Sequence, residues 1–236
     1  STPIKSSAAS DVYKRQRNNY GQLGLGDTTN RTEPEEVKAE RTSEKGTTQE
    51  EITDAIDVAA GVHHTLILRK DGTVWATGYN GYGQLGSGNT EKSTKFHQVK
   101  GENGIGYLQN IEQIVSEKYT SHALTADGSI YSWGYNYYGQ FGNKTTNGNA
   151  STYPEKMQKV SNIIQITAGE HHISMLDADG SIWSTGCNSN GQFGTGTTQS
   201  ENVLPTQMLD TDGSVLYGVR AVSYTHLRAH ETLSDL

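Results

Sequence analysis

The chain has 236 residues, including 27 glycines, 13 tyrosines, four prolines and one cysteine, and 32% of it is hydrophobic. Its formal charge of −7 disfavours non-specific binding to nucleic acid or an anionic membrane, both of which reward lysine and arginine. The single Cys187 excludes an intramolecular disulfide and a cysteine-based zinc site, and no run of about 18 apolar residues is present to form a membrane-spanning helix.

Few aliphatic residues with many glycines and aromatics favour short strands joined by tight turns. Residues 1–16, STPIKSSAASDVYKRQ, hold neither a hairpin nor a repeat element. At Arg17 a phrase begins, RNNYGQLGLGDTT (17–29), and it returns as YNGYGQLGSGNTE (79–91), YNYYGQFGNKTTN (135–147) and CNSNGQFGTGTTQ (187–199). Its opening asparagine falls at 18, 80, 136 and 188, so one unit is 52 to 56 residues long and the first interval, 62, contains an insertion. The charged stretch KAERTSEKGTTQEEITD (38–54) is that insertion, expected as a loop or a short helix.

Each unit opens on a short apolar phrase: DVAAG (57–61), QIVSE (113–117) and QITAG (165–169). Then come HTLILRKDGTVWATG (64–78), TSHALTADGSIYSWG (120–134) and HISMLDADGSIWSTG (172–186). Asp71-Gly72, Asp127-Gly128 and Asp179-Gly180 lie between apolar runs, the signature of a β-hairpin. Several short strands per unit of this length point to propeller blades. GVRAV (218–222) opens a fifth unit, and SYTHLRAHETLSDL (223–236) does not continue it. Residues 1–16 and 223–236 resemble translated adapter sequence and are expected to be foreign to the protein, leaving 17–222 as the repeat domain.

These phrases resemble the RCC1 (regulator of chromosome condensation) repeat, with its V-x-x-G-x-x-H-(T/S)-x-x-L, D-G-x-(V/L)-(W/Y)-x-(W/F)-G and N-x-x-G-Q-L-G-x-G patterns. The resemblance covers roughly 17–222 and implies an all-β partial propeller of four-stranded blades, about 3.5 to 4 of the seven usual in the family. It also implies a non-catalytic protein-binding or scaffold module with no cofactor. The Tyr-, Asn- and Thr-rich loops and the 99–111 linker look like bacterial members, so a larger secreted or cell-surface protein is expected, with a cytoplasmic location as the alternative. Two other functions fit the resemblance: guanine nucleotide exchange on a small GTPase, and inhibition of an enzyme by a secreted propeller. The expected partner is a protein, without nucleic acid or membrane insertion. Open blade edges are expected to promote self-association.

Candidate chemistry is weighed position by position. Gly81, Gly83 and Gly86 match a dinucleotide fingerprint, but the other units place Asn19, Tyr137 and Ser189 at the Gly81 position, and no helical period follows. A blade turn is the reading. His63-His64 and His171-His172 suggest metal ligands, yet the middle unit has Tyr119 and Thr120 there and carries His122 two positions on; structural histidines are expected. DADG (177–180) and DTDG (210–213) lack the further oxygen ligands of a calcium loop and read as turns. Cys187 replaces Tyr79 and Tyr135 and reads as a packing residue. Tyr135, Tyr137 and Tyr138 are either blade packing or a contact surface. The sequence assigns no catalytic, cofactor-binding or metal-ligating residue.

Overall fold

A computed structural model describes residues 17–43, 46–145, 150–199 and 202–220. The segments expected to be foreign, 1–16 and 223–236, lie outside the described residues, as do Ala221 and Val222. Three sheets follow one another along the chain. The first blade is β3 (Ala55–Ala60), β4 (His64–Arg69), β5 (Val74–Gly78) and β6 (Ser93–Gln98), and it is preceded by β1 (Lys38–Ser43) and β2 (Gly46–Glu51). The second is β7 (Ile111–Ser116), β8 (Thr120–Thr125), β9 (Ile130–Gly134) and β10 (Ser151–Lys156). The third is β11 (Ile163–Ala168), β12 (His172–Asp177), β13 (Ile182–Gly186) and β14 (Asn202–Gln207). Each blade is an antiparallel meander in sequence order. Neighbouring blades touch mainly through β3, β7 and β11, which places the first strand of each at the hub.

Alternation along the strands explains why both faces of a blade are apolar. Leu66 pairs with Ala76 and Leu68 with Val74, and all four side chains enter the core shared with the second blade. Ile67 pairs with Trp75, and both face the opposite way, packing with Phe96, Ile52 and Val37. A sheet buried on two sides reads as a near-continuous apolar run. Leu124, Ile130, Ile163, Ile166, Ile173 and Met175 form the next inter-blade core.

The Asp-Gly hairpins are three-residue loops closed by a G1 bulge. In the first, Arg69 N–H donates to Thr73 O at 3.0 Å and Gly72 N–H to Arg69 O at 3.0 Å, while Asp71 Oδ1 accepts the Thr73 N–H. The turn glycine then meets the next unit: Ile111 N–H bonds Gly72 O, Ile163 N–H bonds Gly128 O, and Val219 N–H bonds Gly180 O at 3.1 to 3.3 Å. Val219 therefore makes the bond to the preceding turn that Ile111 and Ile163 make at the start of their units.

The insertion differs from expectation. Residues 38–51 form neither a loop nor a helix but an antiparallel hairpin, paired from Lys38↔Glu51 to Ser43↔Gly46. It lengthens a linker that the other units make short, since Lys100↔Tyr107 and Leu209↔Val215 are single bridges at the same place. Backbone pairing over six residue pairs overrides a composition whose charge pattern carries no strand period.

Candidate functional site

The repeated Gly-rich phrase builds one loop four times. In the second copy, Asn80 Oδ1 accepts Leu85 N–H at 2.9 Å, and its Nδ2 donates to Asn89 O and Glu91 O at 3.0 Å. Gln84 Oε1 accepts Tyr82 N–H at 3.0 Å. The same acceptor bonds recur at Asn18 with Leu23, Asn136 with Phe141 and Asn188 with Phe193. Gly83 has φ +79° and lies so close to the second blade that a Cβ would sit 2.6 Å from Ser151 O. Only glycine fits there. Gly83 and Gly86 serve a turn packed on the next blade, with no helix behind it, so the dinucleotide match has no phosphate geometry.

The loops are stitched forward. Thr77 Oγ1 donates to Gly21 O at 2.9 Å, Trp133 Nε1 to Gln84 O at 2.9 Å, and Thr185 Oγ1 to Gly139 O at 2.9 Å. In each case the donor is on the third strand of the following blade and the acceptor is a loop carbonyl.

On the face carrying these loops, aromatic rings form a continuous stripe across three blades. In the first three copies, the tyrosine two residues after the loop asparagine bridges to the next unit. Tyr20 lies 4.6 Å from the His63 ring and 5.2 Å from Tyr79; Tyr82 lies 5.1 Å from both Tyr119 and Tyr135; Tyr138 lies 4.8 Å from His171. Most of these rings are half-buried by one another. Tyr137 is different: it is 58% exposed, stacked 6.1 Å from Tyr135 at an interplanar angle of 13°. Asn19, Gly81 and Ser189 stand at its position in the other units, so no packing demand of the repeat explains a ring there.

The stripe is electrically neutral. Burial holds His63 and His171 below the usual histidine value, Arg17 adding to the effect at His63. Burial and neighbouring phenols push Tyr79 and Tyr135 upward, away from ionisation. At its hub border Lys118 Nζ and Glu170 Oε1 compensate one another at 3.0 Å.

The histidine pairs separate into two roles. His63 and His171 belong to the stripe, whereas His64 and His172 turn inward over Gly61 and Gly169. His64 Nε2 lies 2.8 Å from Ser116 Oγ and 3.0 Å from Ser121 Oγ of the second blade. Among the described residues, no group of three or more His, Cys, Asp or Glu converges as a metal site would need. The acidic turns use their carboxylates locally. Asp177 accepts Ser181 N–H at 2.8 Å and Trp183 Nε1–H at 2.9 Å, and Asp212 accepts Ser214 N–H at 2.9 Å. Cys187 is half-buried with its Sγ 3.2 Å from Ser189 Oγ.

Sequence comparison between units missed one constellation. The second blade has Glu117 where the others have Gly61 and Gly169, and Thr120 where they have His64 and His172. The room left by the missing ring takes the glutamate, whose Oε1 lies 3.1 Å from His122 Nε2, while His122 Nδ1 lies 2.8 Å from Ser132 Oγ. Glu117, His122 and Ser132 are all buried, and Glu117 Oε2 has no hydrogen-bond partner. Burial lifts the Glu117 carboxyl well above its ordinary range and lowers His122 to about 3. A Ser-His-Glu series with no exposed member cannot meet a substrate; it is an internal polar substitute for one histidine.

The description "Regulator of chromosome condensation (RCC1) repeat" matches residues 17–68, 71–115, 127–176 and 179–224. The chain belongs to the RCC1 repeat family. It is 31% identical over 207 residues to the ultraviolet-B receptor UVR8 of Arabidopsis thaliana, covering 86% of this chain and 43% of that one. It is 37% identical over 134 residues to the human X-linked retinitis pigmentosa GTPase regulator, covering 56% of this chain and 12% of the relative. The chain thus spans less than half the length of these relatives. Among solved structures it is similar to human WBSCR16, with TM-score 0.64 and 22% identity over 83% of this chain and 46% of that one. Prp20p from Saccharomyces cerevisiae gives TM-score 0.54 and 24% identity, covering 73% and 47%. These structures share the propeller fold; they carry no residue roles.

Proposed function

We propose that this RCC1-repeat propeller is a non-catalytic protein-interaction module that binds its partner through the tyrosine stripe. The carrying observation is a continuous aromatic surface across three blades, with Tyr137 added where the repeat needs no ring. Tyrosine offers a large rigid contact area with a hydroxyl at the rim and little rotamer entropy to lose. Because the stripe is uncharged, its binding is expected to vary little with salt. Asn-, Thr- and Tyr-rich loops support display of the module in a secreted or cell-surface bacterial protein. The test places a photo-crosslinking residue at Tyr137 or, on the Asp-Gly turn side, at Asp127. A discrete adduct is expected from position 137 alone, lost when Tyr135 and Tyr138 become serine; equal labelling from both positions would remove the proposal.

The likeness to a protein named as a GTPase regulator favours one second reading, nucleotide exchange on a small GTPase. Release of fluorescent GDP from a panel of small GTPases decides it. Acceleration at catalytic amounts of this chain would displace the non-catalytic reading.

A further inference from the structure

Trp75, Tyr131 and Trp183 follow the Asp-Gly turns at one equivalent position of the three blades. In two of them a cation of the same chain covers the ring. Arg69 Cζ lies 5.6 Å from the Trp75 ring centre, with its Nε 2.7 Å from Asp54 Oδ1, and Lys159 Nζ lies 5.6 Å from the Trp183 ring centre. Among the described residues, no cation covers Tyr131. The second blade lacks both side chains that could do so. The bond from Arg69 N–H to Thr73 O recurs as Thr125 N–H to Ser129 O, so Thr125 stands where Arg69 does. The bond from Val99 N–H to Val74 O recurs as Met157 N–H to Ile130 O, so Gly101, two residues on, stands where Lys159 does.

Gly101 and Thr125 both line a cavity of about 400 Å³ against Tyr131. The other walls include the buried Leu108, the exposed Ile105 and the carboxylates of Glu102 and Asp127. Tyr107, a second ring of the cavity, already carries Lys100 Nζ 4.7 Å from its centre. Burial, and then the charges of Glu102 and Asp127, push the Tyr131 phenol upward, so both carboxylates act on the space around that ring. Bonds from Thr125 Oγ1–H and Ser129 N–H hold Asp127 below the usual carboxylate range and so keep it ionised. Lys156, opposite Tyr131 across β9 and β10, adds to that effect on Asp127, but it is exposed and stands over no ring.

We propose that this cavity binds a small organic cation, an alkylammonium that takes over Tyr131 the place that Arg69 and Lys159 take in the neighbouring blades. The ring and the two carboxylates attract the charge. Ile105 and Leu108 offer apolar contact to the alkyl groups around it, a contact that a hydrated metal ion does not use. The volume falls toward the lower end of small-molecule sites. The site lies at the Asp-Gly end of the second blade and does not depend on the tyrosine stripe.

The test titrates the isotopically labelled full chain with tetramethylammonium chloride at constant ionic strength and follows the amide resonances. tert-Butanol serves as a neutral analogue of similar size. Saturable shifts of the 101–108 and 125–131 amides are expected with tetramethylammonium and not with tert-butanol. Thr125→Arg supplies the cation of the first blade, and Glu102→Gln combined with Asp127→Asn removes both charges while leaving an Asn-Gly turn. Each variant is expected to bind at least tenfold more weakly. Absence of a saturable shift, equal binding of tert-butanol, or unchanged affinity in either folded variant would overturn the proposal. A blocked Gly-Lys-Gly peptide that binds more than tenfold tighter than tetramethylammonium would assign the cavity to a partner's side chain and overturn the small-molecule reading. If Thr125→Arg does not fold, as judged by loss of resonance dispersion, the double carboxylate variant decides alone.

Discussion

The buried pair in the second blade gives a quantitative prediction. Glu117 is held neutral by burial, and His122 is likewise held neutral, down to about 3. A carboxyl whose folded pKa is raised stabilises fully below its unfolded value near 4.5 and loses that contribution as pH rises through the folded value. A histidine whose folded pKa is depressed does the reverse, contributing fully above its unfolded value near 6.5 and losing it as pH falls towards 3. Each limb has a limiting slope of about 1.4 kcal/mol per pH unit. Between these two unfolded values the slopes oppose one another; above the histidine value only the Glu117 limb remains, and stability declines with rising pH. Glu117→Gln keeps the shape and a donor for His122 Nε2 while removing the ionisation. Urea unfolding of both proteins, followed by tryptophan fluorescence from pH 5 to pH 8.5, is expected to show the glutamine variant gaining on the parent by up to that slope as pH rises. A difference that stays constant over the range would show that the carboxylate is solvated or charge-paired in the folded protein, and would refute the reasoning.

Other outcomes can be checked by denaturation midpoints. Asn80→Ala leaves the buried Leu85 N–H without its acceptor and two loop carbonyls without their donor, and is expected to cost about 3 kcal/mol. Gly83→Ala and Gly106→Ala both place alanine at positive φ, +79° and +63°, but only the first meets backbone; about 1 kcal/mol is expected at Gly106 and about 3 kcal/mol or loss of folding at Gly83. Thr77→Val removes the inter-blade bond to Gly21 O with little change in volume, and about 1 to 2 kcal/mol should be lost.

The repeat made the blades legible because each asparagine phrase, Asp-Gly turn and apolar pair recurs at a fixed interval and does the same work every time. The self-comparison also reads the dinucleotide match as a blade turn, since Gly81 has no counterpart glycine while Gly83 and Gly86 do. The same method hid what is peculiar to one unit. Glu117 and His122 look like lapses from the pattern, and only the packing over Gly61 and Gly169 reveals a compensated exchange between non-equivalent positions. The 38–51 hairpin gave no strand signal because its charged residues follow no period of two, and its stability comes from pairing, which no local window contains. Tyr135, Tyr137 and Tyr138 were visible as a group, but Tyr20 and Tyr82 join them only when successive blades are placed side by side.

The forward stitching of the loops gives the molecule a polarity. Gly21 O, Gln84 O and Gly139 O are each held by a donor one blade downstream, so a disturbance of the 79–91 loop at Gln84 is passed to Trp133 in the neighbouring unit. Trp133 is thereby a built-in optical probe of an event on the face above the preceding blade: a ligand pressing on Tyr82 should change the emission of a buried indole that it never touches.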